Sequence, residues 1–457
     1  MGLRTILFAL VMLACSAGLV LSPVWPICGY ILHYSTGPEK QWWASPINAL
    51  GIRYSFTLGI LCMVAVGLHA ERLQRAKPMV TRTEWLMLAF LALVWFVAAI
   101  APATVGRYTN PGIDHPTVKL TKVLIFVMIV THVAVTKRDL SIVLWAMMIG
   151  GLILGLEAYD TPRRSFVSGR LEGVGGPDFG DANRLAGYMV GLLPIIGVFF
   201  LHSGWRGRAA LFLAGGFVAN TIVLTRCRGA VLGLAVASVV TLVLVPRVYR
   251  ARLSLAMLVG MAGFLYLSDD QFLHRSSTIT ASAEERDSSA QARFDLAVAG
   301  TKMAIRNPLG VGPGNFYQNV GKYDARYEGR DAHSTFTRCL GELGFPGLLL
   351  FVAILCSSFG GLRRVLKEAA HLPEQEERYY RWTAIGITAG IVAAFGYGMT
   401  GTLLYTEYAW WLLALPICLE RALTNTKREL ELQEARELEG GVVEVESEAP
   451  ELVGAGA

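Results

Sequence analysis

Apolar residues along this chain neither alternate nor recur singly. They bunch into runs close to the ~20 residues an α-helix needs to cross a bilayer. Clear runs lie at 54–70, 84–102, 118–136, 140–157, 185–201, 208–225, 228–246, 252–268, 346–361, 382–401 and 404–421. A further apolar region, 5–34, is interrupted by Pro23 and Pro26. It reads as one bent helix or as a helix plus a re-entrant piece. The pattern predicts an all-α polytopic membrane protein of about 12 transmembrane helices, with one large polar segment between spans 10 and 11. On this division 1–268 holds transmembrane helices 1–10 with short loops, 269–345 is the extramembrane segment, 346–423 holds helices 11–12, and 424–457 is a tail.

Composition sharpens this picture. Of 457 residues 53% are hydrophobic and 17% charged, where a soluble domain is about a quarter charged. Mean hydropathy is +0.46. The opening stretch "MGLRTILFALVMLACSAG" has the look of a signal peptide with a poor lipoprotein site at Cys15, but it reads better as the first span. Basic residues crowd the loops 71–83, 137–139, 202–208, 246–252 and 361–381. All five fall on one side, which the positive-inside rule makes the cytoplasm. Both termini are expected there too. Segments 35–52, 102–117, 158–184, 225–228 and 269–345 then face the opposite side.

The tail 424–457 holds nine Glu against Lys427, Arg428 and Arg436, so it carries −6 and the remainder +12. It reads as an acidic cytoplasmic helix that dissolves into a partly disordered end. Seven cysteines are scattered, without CxxC or metal-ligand spacing. No metal, cofactor or nucleic acid is indicated. Adjacent Asp269 and Asp270 sit in a polar loop, and no Walker motif is present.

Candidate chemistry collects on the non-cytoplasmic side. The loop "YDTPRRSFVSGRLEGVGGPDFGDANR" carries Arg163, Arg164, Arg170 and Arg184, and the turn "TRCRG" carries Arg226 and Arg228. Positive charge is disfavoured in short translocated loops, so arginines held there call for a reason. A guanidinium fits phosphate oxygens and keeps its charge; the plainer alternative is lipid headgroup contact or snorkelling. Within 269–345, Phe294, Ala297, Val298, Thr301, Ala304 and Ile305 recur at helical spacing. They predict an amphipathic helix lying on the membrane surface. "NPLGVGPGNF" then turns sharply, dipping the chain toward the membrane, with backbone donation to a phosphate as the lesser alternative.

"DAHSTFTRCLGELGFPGLLLF" follows. His69, His202 and His371 fall at cytoplasmic ends or loops, His132 lies inside a span, and His115 and His274 are in plain loops. His333 alone combines the outer face, a glycine-rich approach and a membrane helix behind it. Imidazole is the side chain able to take a proton near neutral pH. Arg338 and Glu342, four apart, share a helix face and can pair.

Four stretches in this order resemble the O-antigen ligase and Wzy-type polymerase superfamily over roughly 120–400. "FGDANRLAGYMVGLLP" resembles the family's Asp-x-Asn-x-Leu-Ala segment, with Asn183 on the asparagine, and "TRCRGAVLGL" resembles its Ser-Arg-Gly-Ala turn, with Arg228 on the arginine. "ARFDLAVAGTKMAIRNPLGVGPGNF" resembles the arginine-headed helix ending in Asn-Pro-Leu-x-Gly-x-Gly, headed here by Arg293. "AHSTFTRCLGELGFPGLLLF" resembles the His-Ser/Asn segment with its following Glu-x-Gly. Cys227 departs from the family serine, and no mid-membrane acid is present to act as the base found in related peptidoglycan polymerases.

The resemblance implies an inverting, metal-independent glycosyltransferase that moves a glycan from undecaprenyl diphosphate to an envelope acceptor such as lipid A core. It makes His333 the base and Arg228 the diphosphate ligand, with Arg293 on a further family arginine. The charge reading adds Arg226 and Arg170 as candidate diphosphate ligands, with Arg338, Glu342 and Asn183 in support. Expected partners are the lipid-linked donor, a glycan, lipid or protein acceptor, and membrane lipids. A polymerase and a protein O-oligosaccharyltransferase share this chemistry, and the acceptor is not legible. A transporter or flippase predicts mid-membrane acids or two similar halves, and neither is evident. A non-catalytic scaffold predicts that replacing His333 changes nothing.

Overall fold

The computed structural model of the protein describes residues 2–101, 115–268 and 288–447. Asp269, Asp270, His274 and the last ten residues of the tail lie outside them. Among the described residues the fold is helical, with one isolated bridge between Val167 and Arg170. The longer helices are α1 (Leu3–Ala17), α2 (Val24–Thr36), α3 (Tyr54–Leu68), α4 (Arg82–Ile100), α5 (Pro116–Val133), α6 (Lys137–Asp160) and α7 (Ala182–His202). They continue as α8 (Trp205–Thr225), α9 (Arg228–Leu244), α10 (Arg247–Leu267), α11 (Ser288–Arg306), α12 (Thr335–Ala369), α13 (Glu374–Tyr397) and α14 (Glu407–Ser447). Eight stretches are long and apolar enough to cross a membrane: Leu3–Val20, which extends α1, together with α4 to α8, α10 and α12. This is a multi-pass membrane protein.

Polar contacts gather the helix ends into two levels. At one level Arg72 pairs with Asp139 at 2.9 Å, Lys137 with Glu376 at 2.8 Å, and His202 and Tyr249 both lie against Trp382. These join the five basic loops at one end, as the charge pattern predicts. At the other level Asp178 accepts from Tyr34, Lys119 and the Glu407 backbone N–H, tying four parts of the chain together.

The N-terminal region resolves into a hairpin. Pro23 precedes α2 instead of bending one long helix, and α1 packs antiparallel against α2. The hairpin tip meets the basic end through His69 and the Leu19 carbonyl, 2.9 Å apart. Arg4 pairs with Asp160 and Thr5 donates to the Trp43 carbonyl, at the opposite end. The expectation that both termini share a side is therefore corrected: α1 starts at the Asp178 end, and α14 runs from there to the basic end. Of these longer helices, α1 to α10 precede residue 269, and α12 to α14 coincide with the three apolar runs 346–361, 382–401 and 404–421.

Two features position the site. Glycines let α9 and α13 approach closely: Gly233 lies so near the Ala393 carbonyl that a side chain would overlap it. The glycine turn, in addition, docks into a break in α12. Gly344 has φ 66°, a left-handed value that interrupts the helix. The carbonyls this frees are taken by the turn: Val311 donates to Gly341 O at 3.0 Å and Gly312 to Glu342 O at 2.9 Å. Phe345 N–H donates back to Pro308 O at 3.1 Å. Gly314 N–H goes to the Glu342 carboxylate. The N–H groups of Gly310, Val311, Gly312 and Gly314 are thus spent on protein.

The helix predicted over 294–305 is α11. α11 packs on α12 and Phe316 through Leu296, Ala299, Gly300 and Met303. Phe294 and Ile305, on the predicted apolar face, are exposed. Small residues let the neighbouring face sit against protein and left the large apolar ones uncovered.

Candidate functional site

Three loops meet at the Asp178 end. Loop 161–181 lies along the end of α8: Leu171 N–H donates to Leu224 O, Arg170 Nε to Thr225 O at 2.9 Å, and Arg170 Nη2 to Asn183 Oδ1 at 2.6 Å. Asp181 caps α7 by accepting from the Asn183 and Arg184 N–H groups. Asn183 thus holds Arg170 in place. The turn between α8 and α9 puts Arg226 in the left-handed region, φ 49°, so that Cys227 is buried and Arg228 opens α9.

His333 also sits at a left-handed φ, 48°, one residue before the Ser334 that caps α12. Arg226 and His333 are two of three non-glycine residues with positive φ among those described; Ser168 is the third. Strain of this kind concentrates at working sites. The segment carrying His333 is laced to the loop after α13. Thr335 N–H donates to Gly398 O at 2.8 Å, Thr335 Oγ1 to Gly401 O at 2.9 Å, and Thr402 to Asp331 at 3.0 Å.

Electrostatics link these pieces. Arg293, heading α11, is partly buried; burial lowers its pKa, and Arg228 and Arg170 push the same way while Cys227 and Tyr397 oppose them. Its Nε makes no hydrogen bond. His333 has its pKa pushed below the ordinary value, first by burial and then by Arg293 and Arg330, against the pull of Asp331 and Asp181. The neutral imidazole, able to accept a proton, is the favoured form. Burial works against the charged Asp331, but Arg338 and His333 outweigh it and hold that carboxyl below its usual range.

Arg338 and Glu342 form a buried pair, 3.0 Å apart, on the short helix ahead of the Gly344 break. Glu342 also accepts from Tyr405 and from the backbone of Gly314 and Phe316. The pair fastens the glycine turn and Asp331 beside His333. The structure therefore brings Arg170, Arg228, Arg293 and His333 together and sets Asn183, Arg338 and Glu342 behind them. Arg226 lies in the adjoining turn. Arg163 and Arg164 are exposed, with Arg163 over the Phe166 ring.

Four residues escaped the site list drawn from sequence. Asp331 stood two positions from His333, and Arg184 was noted but ranked low. Asp181 was seen only as part of a motif. Tyr397 carried no signal, because a tyrosine ending a membrane helix reads as an interface anchor.

A half-buried arginine cluster beside a histidine, in an all-helical membrane protein, is an arrangement able to hold an anionic group. Residues 209–352 match the Wzy_C family model, described as O-Antigen ligase. The matched stretch holds Arg228, Arg293 and His333 and supports a relation to the O-antigen ligase and Wzy-type superfamily. Members are glycosyltransferase-like enzymes that work on glycan and lipid-linked substrates. No curated protein matches the chain.

Proposed function

We propose that the protein transfers a glycan from undecaprenyl diphosphate to an envelope acceptor, lipid A core or similar, at the periplasmic face of the bacterial inner membrane. His333 takes the proton from the acceptor hydroxyl as that oxygen attacks the anomeric carbon from the face opposite the diphosphate. The carbon–oxygen bond to phosphate breaks, and the diphosphate leaves with the electron pair. Arg228, Arg293, Arg170 and Arg226 offset its growing charge, which is electrostatic stabilisation of a leaving group. A positioned base adds about 10²–10⁴-fold. Metal is not required in this scheme. The basic end is cytoplasmic, and the chain crosses the membrane an odd number of times, so that α1 starts in the periplasm and α14 ends in the cytoplasm.

The observation that carries this reading is Arg293, partly buried and crowded by Arg228 and Arg170 beside a histidine kept neutral. Clustered cations inside a protein need an anion. The test follows lipid-linked glycan into lipid A core in membranes of a strain lacking the native gene, with wild type, His333→Ala and Arg228→Ala at matched expression. Chelator-insensitive transfer by wild type, lost in both variants, is expected. Lengthening of the lipid-linked chain without transfer to core makes the protein a polymerase. Full activity of His333→Ala removes the base assignment.

A further inference from the structure

We infer that Tyr397 is a donor-binding residue of this site, its hydroxyl donating a hydrogen bond to a phosphoryl oxygen of the polyprenyl diphosphate. The inference rests on the transfer reading above and adds a residue to it. Tyr397 ends α13, is fully buried, and its hydroxyl makes no hydrogen bond. Leaving a buried hydroxyl unpaired costs stability. The other buried tyrosines at this end avoid that cost: Tyr34 donates to Asp178 at 2.8 Å, Tyr405 to Glu342 at 2.7 Å and Tyr408 to Arg184 O at 3.3 Å.

The ring cannot swing away to find a partner. Gly187 of α7, Gly229 of α9 and Gly401 all border it, and a side chain on Gly187 or Gly401 would overlap the ring. Two separate elements thus give up a side chain to seat this one aromatic. The loop that follows Tyr397 is the one laced to the His333 segment through Thr335, so the two residues are held in one frame.

The surroundings name the missing partner. Arg293 Nε is a second donor without an acceptor, and Arg293 lies within electrostatic reach of Tyr397, Cys227, Arg228 and Arg170. Two unspent donors amid arginines call for an anionic oxygen.

The experiment uses detergent-solubilised full-length protein and its Tyr397→Phe variant. Thermal unfolding is followed with increasing undecaprenyl diphosphate, alongside transfer kinetics with donor and acceptor varied in turn. Because the hydroxyl bonds nothing in the protein, Tyr397→Phe without lipid should melt at or above the wild-type midpoint. Its apparent affinity for undecaprenyl diphosphate should fall about tenfold or more, as for a lost hydrogen bond to a charged group, with KM for the acceptor unchanged. Equal stabilisation of both proteins by the lipid overturns the inference while leaving the transfer reading intact. A raised acceptor KM with unchanged lipid binding overturns it too, by moving the hydroxyl to the acceptor. If undecaprenyl diphosphate does not stabilise wild type, the transfer reading fails first and takes this inference with it.

Discussion

Arg421 and Arg293 are arginines drawn into the protein at opposite ends, and the protein treats them differently. Arg421 is 1% exposed and meets the buried Glu84 carboxylate through both terminal nitrogens, at 2.9 and 2.8 Å. It also donates to the carbonyls of Thr131, Pro78 and Met79. Glu84 in turn completes a capping box with Thr81 at the start of α4. Arg293 instead faces Arg228 and Arg170, while Arg170 spends its guanidinium on neutral oxygens. Both Arg421 and Arg293 leave Nε unpaired, so an orphan nitrogen alone does not mark a site. The charge balance separates them: one arginine is neutralised by a buried carboxylate to hold the fold, and the other, on the proposed reading, is left for the donor's diphosphate.

The most direct way to break this comparison is to make the same substitution at both ends. Arg293→Met should lower transfer by about 10²–10³-fold, the usual loss for one donor to a developing anion. Its thermal midpoint should hold or rise, because a like charge has been removed from a crowded cluster. Arg421→Met strands Glu84 as an unpaired buried charge and should cost about 3–5 kcal/mol of stability. Transfer per folded molecule should stay at the wild-type rate. Calorimetry or denaturant unfolding of both variants, with transfer assays on the same preparations, decides it; matching behaviour of the two would erase the distinction.

Smaller effects sharpen it. Gly344→Ala places a side chain against the Pro308 carbonyl at a left-handed φ, and should cost more than about 1 kcal/mol, with transfer falling alongside. Unchanged melting would mean that the break in α12 relaxes easily. The smallest effect is in pH. A base must be neutral to accept a proton, and burial with Arg293 lowers the His333 pKa. Transfer should therefore persist as pH falls past the ordinary imidazole value of about 6.5, and drop only below it. Asp331→Asn removes a carboxylate that favours the imidazolium and should move that acid limb further down. A limb above the ordinary value would contradict the electrostatics described here.

The bundle was legible wherever composition alone decides. Apolar runs gave the helices, and Arg72, Arg138, Arg208, Arg247 and Lys367 gave the basic end. What failed depended on packing. Phe8 of α1 touches Trp43 and Tyr54 from the far end, and no local pattern distinguishes that hairpin from a bent helix. In α11 the periodicity showed the stripe of Phe294 and Ile305, but not the second contact, made on protein by Ala299 and Gly300, which admit close approach. His333, Arg228 and Arg293 were reached because unusual residue types stood in motifs. Tyr397 was not, since its distinction is a missing hydrogen bond, which exists only in three dimensions.

The clasp at Gly344 has a consequence for entropy. By joining residues 308–312 to 341–345 through backbone hydrogen bonds, it closes the intervening chain into a loop without any covalent link. His333 lies inside that loop, and so do Asp331 and Arg338. Closing a loop removes conformational freedom before any ligand binds, so the ordering of this stretch is complete in the resting protein. Side chains along the clasp contribute nothing to those backbone bonds. What must stay fixed is the absence of one, at Gly310 and Gly344, where the two backbones touch. The proposed base is thus held in place by residues that have no chemistry to offer, and substituting either glycine should blunt transfer while leaving every reactive group intact.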